Sequence, residues 1–450
     1  MVDAPPRVGP RAHASEHILW DVVEEHLDEA EFLVGVCAEA SDSPLYTFRQ
    51  LAGGPEHRLA AHIDGLLVGG PTTAERLLLP VFTDDAELAR ASAAALALLT
   101  IGDQKWGQRL IDDLGKLAGP HADGITWALG TCGRPDLDPR ISDALRKAED
   151  GARAPLIRAA FVRGVDQSAQ LERWLRDDEP TLRLSIAAIL RYAPRRFGPW
   201  IDAAITDRDP TLRHTAIASG LVLGSHHAWE AAGRLAFDKS APDRDAMAWV
   251  ASFGDARATE SLIGVLTDEA RRADALWALG FSGRVTAADA CARWLADQDV
   301  GPQAGESFAA ITGLLRSDDH FWLDAKPEPE GDGELPPLAD DLEADLSSAP
   351  ADDLVPPNPE TIVAWWTKKR QELRPDTRYI AGVPVDQAGL LRGLRESSTW
   401  RRHGIAFELL VRTQGLARVQ TRMSTQTQSR QMDALASLPR VDGNRPFGQF

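Results

Sequence analysis

Glu179-Pro-Thr-Leu-Arg-Leu-Ser-Ile-Ala-Ala188 and Asp209-Pro-Thr-Leu-Arg-His-Thr-Ala-Ile-Ala218 lie thirty residues apart and align position for position. An acid followed by Pro supplies an N-cap oxygen and a ring already fixed at helical φ, so each stretch opens a helix. Arg183 and Arg213 fall one turn after Glu179 and Asp209, where an i,i+4 pair beside the positive end of the helix dipole is expected. Ala187, Ala188, Ala216 and Ala218 are small enough to let a neighbouring helix approach closely.

The thirty-residue ruler extends outward from this pair. Arg173-Trp174-Leu175 and Arg293-Trp294-Leu295 are 120 residues apart, and Trp127-Ala-Leu-Gly130 and Trp277-Ala-Leu-Gly280 are 150 apart. Helix-like apolar segments close at Gly102, Gly130, Gly164, Ala193, Gly224, Gly254, Gly280 and Gly313, at steps of 26 to 34 residues. A closing glycine can take the positive φ of a C-cap. One hairpin of this size cannot bury its apolar face alone, so successive hairpins must stack. The expectation is an all-α chain: a right-handed α-solenoid of about eight hairpins from Phe82 to Leu314, with a small, mainly helical C-terminal module.

The pattern Asp-Pro-x-Leu-Arg-x-x-Ala, followed by Gly254-Asp255-Ala256-Arg257 and the apolar run Leu262 to Leu266, resembles the short HEAT-like repeats of phycobilin lyases and bacterial scaffolds. Both ends carry a further resemblance. The run His57-Arg-Leu-Ala-Ala-His62-Ile63-Asp64-Gly65-Leu66, and Arg378-Tyr-Ile-Ala-Gly-Val-Pro-Val385 with the Leu- and Arg-rich helices after it, are similar to the termini of a bacterial HEAT-containing family of unassigned function. That family is often encoded in type VI secretion gene clusters. The resemblance implies a fold and a genomic neighbourhood, and it transfers no catalytic residue.

Charge divides the chain. The net charge of −18 argues against general nucleic-acid binding, which draws on cations that neutralise phosphates. Asp324 to Glu360 holds twelve acids against Lys326 alone, and Thr361 to Phe450 holds fifteen Lys and Arg against seven acids. The organisation expected is an N-terminal helical region over 1–81, HEAT-like repeats over 82–323, an acidic Pro-rich linker over 324–357 and a basic module over 358–450. The linker is read as a counter-ion for that module, competing with an acidic partner. Met1 to Ser15 has no apolar core of a signal peptide and no later stretch of about eighteen residues is free of charge, so a cytoplasmic address and no membrane partner are expected.

Residues that carry chemistry are sparse. The pairs His13 and His17, His57 and His62, and His226 and His227 have no metal-ligand companions, and GxSxG, SxxK, Walker A and Rossmann motifs are absent. Cys37, Cys132 and Cys291 lie far apart without metal-like spacing and read as core residues. No catalytic, cofactor-binding or metal residue is assigned, and no partner-binding residue. Trp127, Trp174, Trp277 and Trp294 sit at repeat positions and read as core; Trp365, Trp366 and Trp400 belong to no repeat and are the candidates for a partner surface. The functional expectation is a non-enzymatic scaffold or accessory protein for a type VI secretion component or effector, as adaptor or immunity protein. The alternative is a lyase-like or modifying enzyme.

Overall fold

The computed structural model describes residues 18–83, 85–176, 179–190, 197–323, 349–435 and 440–449. The fold is all-α: among the described residues the strands are Tyr379–Ile380 (β1) and Val383–Pro384 (β2). Helices begin at residues 88, 119, 150, 180, 210, 244, 272 and 301, each 28 to 34 residues after the one before. No helix is long and apolar enough to cross a membrane among the described residues. Ala193, His13, His17 and the acidic run 324–348 lie outside the described residues.

The acid before each helix works as a cap. The Asp209 carboxylate accepts the N–H groups of Thr211 and Leu212 at 2.8 and 3.2 Å, and Asp243 and Asp255 accept those of Ala246 and Ala258. The arginines one turn on reach across instead. Arg183 Nη2 lies 2.7 Å from Asp207 Oδ2, and Arg213 donates to the Asp207 carbonyl at 2.9 Å. Cap oxygens already engaged by their own first turn make Asp207 the better acceptor, and the ion pair ties one hairpin to the next.

The chain forms two compact units. The first gathers Met1–Glu39, Leu51–Arg176 and Arg422–Thr427. In it the helices Leu88–Thr100, Gly119–Thr131 and Asp150–Arg163 pack in sequence order, and Gln104–Leu114 and Leu137–Lys147 make a second layer. At Gly124 an added Cβ would lie 2.8 Å from the Ser92 backbone nitrogen, so the first two approach at backbone distance. The N-terminal helix buries Val23, Leu27, Ala30, Leu33, Val34 and Cys37. Leu19 and Val22 are exposed, outside the buried stripe that recurs every three or four residues from Val23. Late residues complete this unit: Thr425 N–H donates to both Glu56 carboxylate oxygens at 2.9 and 3.0 Å.

The second unit gathers Ala40–Gln50, Asp177–Thr421 and Gln428–Phe450. The helices Arg244–Phe253, Arg272–Ser282 and Gly301–Thr312 pack in order, with Ala256–Val265 and Val285–Ala292 as a second layer. The helix Thr399–Arg412 lies against Pro210–Val222 and Arg244–Phe253 and is buried along most of its length. Its Thr399 side chain donates to the carbonyls of Ala40 and Ser43 at 2.6 and 2.8 Å, which ties the stretch 40–50 to the same unit.

Arg378 to Val385 forms a hairpin, with Tyr379 opposite Pro384 and Ile380 opposite Val383. Its turn residues Ala381 and Gly382 have φ of 47° and 77°, as a two-residue hairpin turn with both φ positive requires. The hairpin runs over two helix ends. Tyr379 N–H donates to Gly283 O at 2.7 Å, and Ala381 N–H to Ala310 O at 2.7 Å, supplying carbonyls that a helix C-terminus leaves unpaired. Gly283 and Gly313, thirty residues apart, hold φ of 65° and 76° there. The helix expected to close at Gly280 continues to Ser282, and Gly280 faces another neighbour: a Cβ there would lie 2.4 Å from Arg401 Nη2.

Four arginines of the C-terminal segment are buried, with exposures of 1% for Arg378, 3% for Arg401, 0% for Arg402 and 7% for Arg412. Arg401 forks onto Glu306, itself 3% exposed, at 2.9 and 3.2 Å, donates to Trp277 O at 3.1 Å and stacks on the Trp277 ring. Glu408 receives Arg378 at 2.6 Å and Arg412 at 2.7 Å. The same two arginines cap repeat helices: Arg378 Nε donates to Ser282 O at 2.7 Å and Arg412 Nη2 to Ser252 O at 2.9 Å. Ser252 and Ser282 are thirty residues apart, so one glutamate aligns the ends of two successive repeat helices.

Two outcomes follow for stability. Gly283→Ala and Gly313→Ala are each expected to cost more than the ~1–2 kcal/mol of a left-handed alanine, because the new Cβ would also lie 2.5 Å from Tyr379 O or Ala381 O. Gly224→Ala, at φ of 76° with open space around it, should cost only the conformational part, and urea denaturation of the three variants compares them directly. Glu408→Gln, which leaves two buried guanidinium groups against a neutral side chain, is expected to cost about 3–5 kcal/mol. Burial pushes the Glu408 carboxyl up, but Arg378 and Arg412 outweigh it and hold it below the usual carboxylate range. Its contribution is therefore complete above the unfolded value near ~4.3 and is lost as pH falls through the depressed folded one. Acid titration of stability should show a shallower fall in the variant than in the wild type.

Candidate partner-binding strip

The thirty-residue spacing places His214, Arg244 and Asp274 in the N-terminal halves of three successive repeat helices, Pro210–Val222, Arg244–Phe253 and Arg272–Ser282. His214 Nε2 lies 3.6 Å from Asp243 Oδ2 and 3.6 Å from Asp245 Oδ2, with its ring 4.8 Å from that of Trp249. The Arg244 guanidinium sits 4.3 Å from the Trp277 ring and 4.7 Å from that of Trp400, and its Nε is 3.9 Å from Asp274 Oδ1. Side chains of the row are 21% to 66% exposed, so they meet solvent while their aromatic walls are buried.

The electrostatics are perturbed in a consistent way. Burial pushes the Arg244 guanidinium below its ordinary value and the Asp274 carboxyl above its own. Burial also works to raise Asp243, but hydrogen bonds from His214 and the Ala246 N–H outweigh it and hold that carboxyl low. Arg244 Nε is buried and has no hydrogen-bond partner among the described residues. The three carboxylates of Asp243, Asp245 and Asp274 stand against the one guanidinium of Arg244, so acids outnumber arginines in the row. The contacts of Asp245 with His214 at 3.6 Å and of Asp274 with Arg244 at 3.9 Å are longer than hydrogen bonds, so these two carboxylates keep acceptor capacity for an incoming cationic side chain.

The tryptophans offered by sequence as a partner surface serve internal packing for the most part. Trp400 stacks on Trp277 at 4.0 Å and is 6% exposed; Trp366, 5% exposed, donates Nε1–H to Asp289 at 2.9 Å and meets Phe308 edge-on. Trp365 is half-buried between Phe308 and Phe321. Of the repeat tryptophans, Trp174 and Trp277 are buried and Trp127 and Trp294 are half-buried. His62 pairs with His26, at 3.2 Å between Nδ1 atoms, rather than with His57. Cys37 and Cys291 are buried, and burial, joined at Cys37 by the charge of Glu56, pushes both thiols up to about 12. The row itself was hidden in the sequence because its members differ in chemistry; the signal that would have found it is the spacing 214, 244, 274 once the helices are in register.

No family model matches the chain, and no curated protein matches it. Among solved structures, the X-ray structure of E. coli YibA is 14% identical and aligns over 67% of this chain and 99% of YibA, with a TM-score of 0.29. A likeness at that level carries no argument.

Asp274→Asn tests the electrostatic reading. Because the folded pKa is raised, ionised Asp274 is a cost that appears as pH rises through the unfolded value and grows until the folded one is passed. Removing the charge should stabilise the protein at pH 7 by less than about 1 kcal/mol, after discounting for solvent screening, and should make no difference near pH 3; chemical denaturation at the two pH values reads both.

Proposed function

We propose that this chain is a non-enzymatic binding protein, a scaffold or accessory protein built of HEAT-like hairpins in a right-handed solenoid. Its partner, on this reading, is a type VI secretion component or effector that presents Lys or Arg side chains, and the chain acts on it as adaptor or immunity protein. The half-exposed row of His214, Asp243, Asp245, Arg244 and Asp274 carries the proposal. Its charge suits a basic segment, its aromatic walls lower the local dielectric, and its repeat spacing matches an extended ligand. Trp366 and Trp400, engaged in internal packing, leave this row as the more accessible surface of the second unit.

Affinity purification from the native host is the test, with wild type beside Asp245→Lys, a change at a side chain that is 66% exposed. A stoichiometric partner should be recovered with the wild type and fall at least tenfold with the variant, while thermal melts of the two agree. Equal recovery would remove the row from the interface, and no protein partner in repeated captures would sink the scaffold reading.

A second reading, a lyase-like or modifying enzyme, is favoured by one observation: titratable groups shifted in opposite directions, Asp274 up and Arg244 down, in one aromatic-walled place. Asp274→Asn would then abolish turnover of any substrate found, whereas partner capture alone would be only modestly altered.

A further inference from the structure

In the second unit a cleft of about 580 Å³ opens between the hairpin's outgoing strand and the stretch 440–445. That size suits a small-molecule ligand. Arg374, Arg440 and Arg445 line it together with Thr377, and Val385 and Val441 supply an apolar wall. The guanidinium groups of Arg374 and Arg440 are exposed and have no ion pair among the described residues. Two carboxylates also line the cleft, and both are engaged locally. Asp386 Oδ1 accepts the Gly389 N–H at 2.8 Å as a helix cap; Asp442 Oδ1 accepts the Asn444 N–H at 3.0 Å, and its Oδ2 lies 3.3 Å from Arg445 Nε.

The wall of the cleft includes Arg412, and Arg412 shares the single carboxylate of Glu408 with Arg378. That buried triad holds two positive charges against one negative. An excess cation therefore stands behind exposed arginines that lack acids of their own, in a concave place where field lines from like charges converge. Planar guanidinium forks match the paired oxygens of carboxylate and phosphate.

We propose that this cleft binds a small ligand carrying two or more oxyanion charges, a phosphate ester or a polycarboxylate, held by Arg374 and Arg440 against Val385 and Val441. The site is separate from the acidic row and selects the opposite charge.

Isothermal titration of the full chain with pyrophosphate and, separately, with citrate tests this, alongside Arg374→Gln/Arg440→Gln. One-site binding is expected for at least one of the two, weakened at least about tenfold in the double variant and weakened by added salt. The better of the two probes identifies the source as phosphate or carboxylate. Both substitutions are at exposed side chains, and an unchanged melt without ligand shows that the variant is folded. Binding that survives the double variant unchanged, or no binding of either probe up to millimolar concentration, overturns the proposal. Binding of an oligoglutamate peptide alone, with neither small anion bound, overturns it as well.

Discussion

Burying an ion is expensive unless its partner is present and its remaining hydrogen-bonding groups are satisfied, and the second unit is organised around meeting that condition at Glu306 and Glu408. Neither glutamate finds its cation within the repeats. Arg401 reaches Glu306 from 95 residues away, and Arg378 and Arg412 reach Glu408 while closing the ends of two repeat helices. The helix Thr399–Arg412 is thus held by charges that have no acceptable alternative once water is excluded. Leucines and alanines fill the space around it, but they would accept a neighbouring register at small cost; a forked guanidinium would not.

The repeat period appears at three levels of this arrangement. It sets where helices start, it places Ser252 and Ser282 where two arginines can cap them, and it places Gly283 and Gly313 where one hairpin can lie over both ends. Gly130 and Gly280 extend the logic inside each unit. Both close a Trp-Ala-Leu-Gly sequence, and both leave room for a late side chain, Met423 in the first unit and Arg401 in the second; a Cβ would lie 2.4 Å from either. A sequence repeat that reads as packing of like on like also provides sockets for residues that belong to no repeat.

Local features were legible from residues alone. The acid-Pro caps at Asp209 and Glu179 and the all-α class follow from short-range chemistry, and they are as the sequence suggested. What escaped was of longer range. Glu179 and Asp209 looked like partners of Arg183 and Arg213, yet both arginines meet Asp207, a choice that depends on how the next hairpin lands. Trp400 and Trp366 looked unassigned because their neighbours, Trp277 and Asp289, lie more than seventy residues earlier. The basic C-terminal segment looked like a surface, whereas four of its arginines are interior groups. Composition counts charges without saying which of them face water. The candidate row at His214, Arg244 and Asp274 shares a spacing and no residue type, so no residue pattern announces it.

The distance in sequence between Glu306 and Arg401 also has a meaning in time. A ribosome adding roughly 5–20 residues per second needs about 5–20 s to make the intervening 95 residues. Throughout that interval the helix Gly301–Thr312 has been synthesised with its carboxylate unanswered, and Ser252 offers a carbonyl whose cap, Arg412, is not yet made. The last ion pairs and caps of these repeats therefore come only after the C-terminal segment has been made. The second unit is completed from its far end, and a nascent chain stopped short of Arg412 carries a vacancy at its centre that marks it as unfinished.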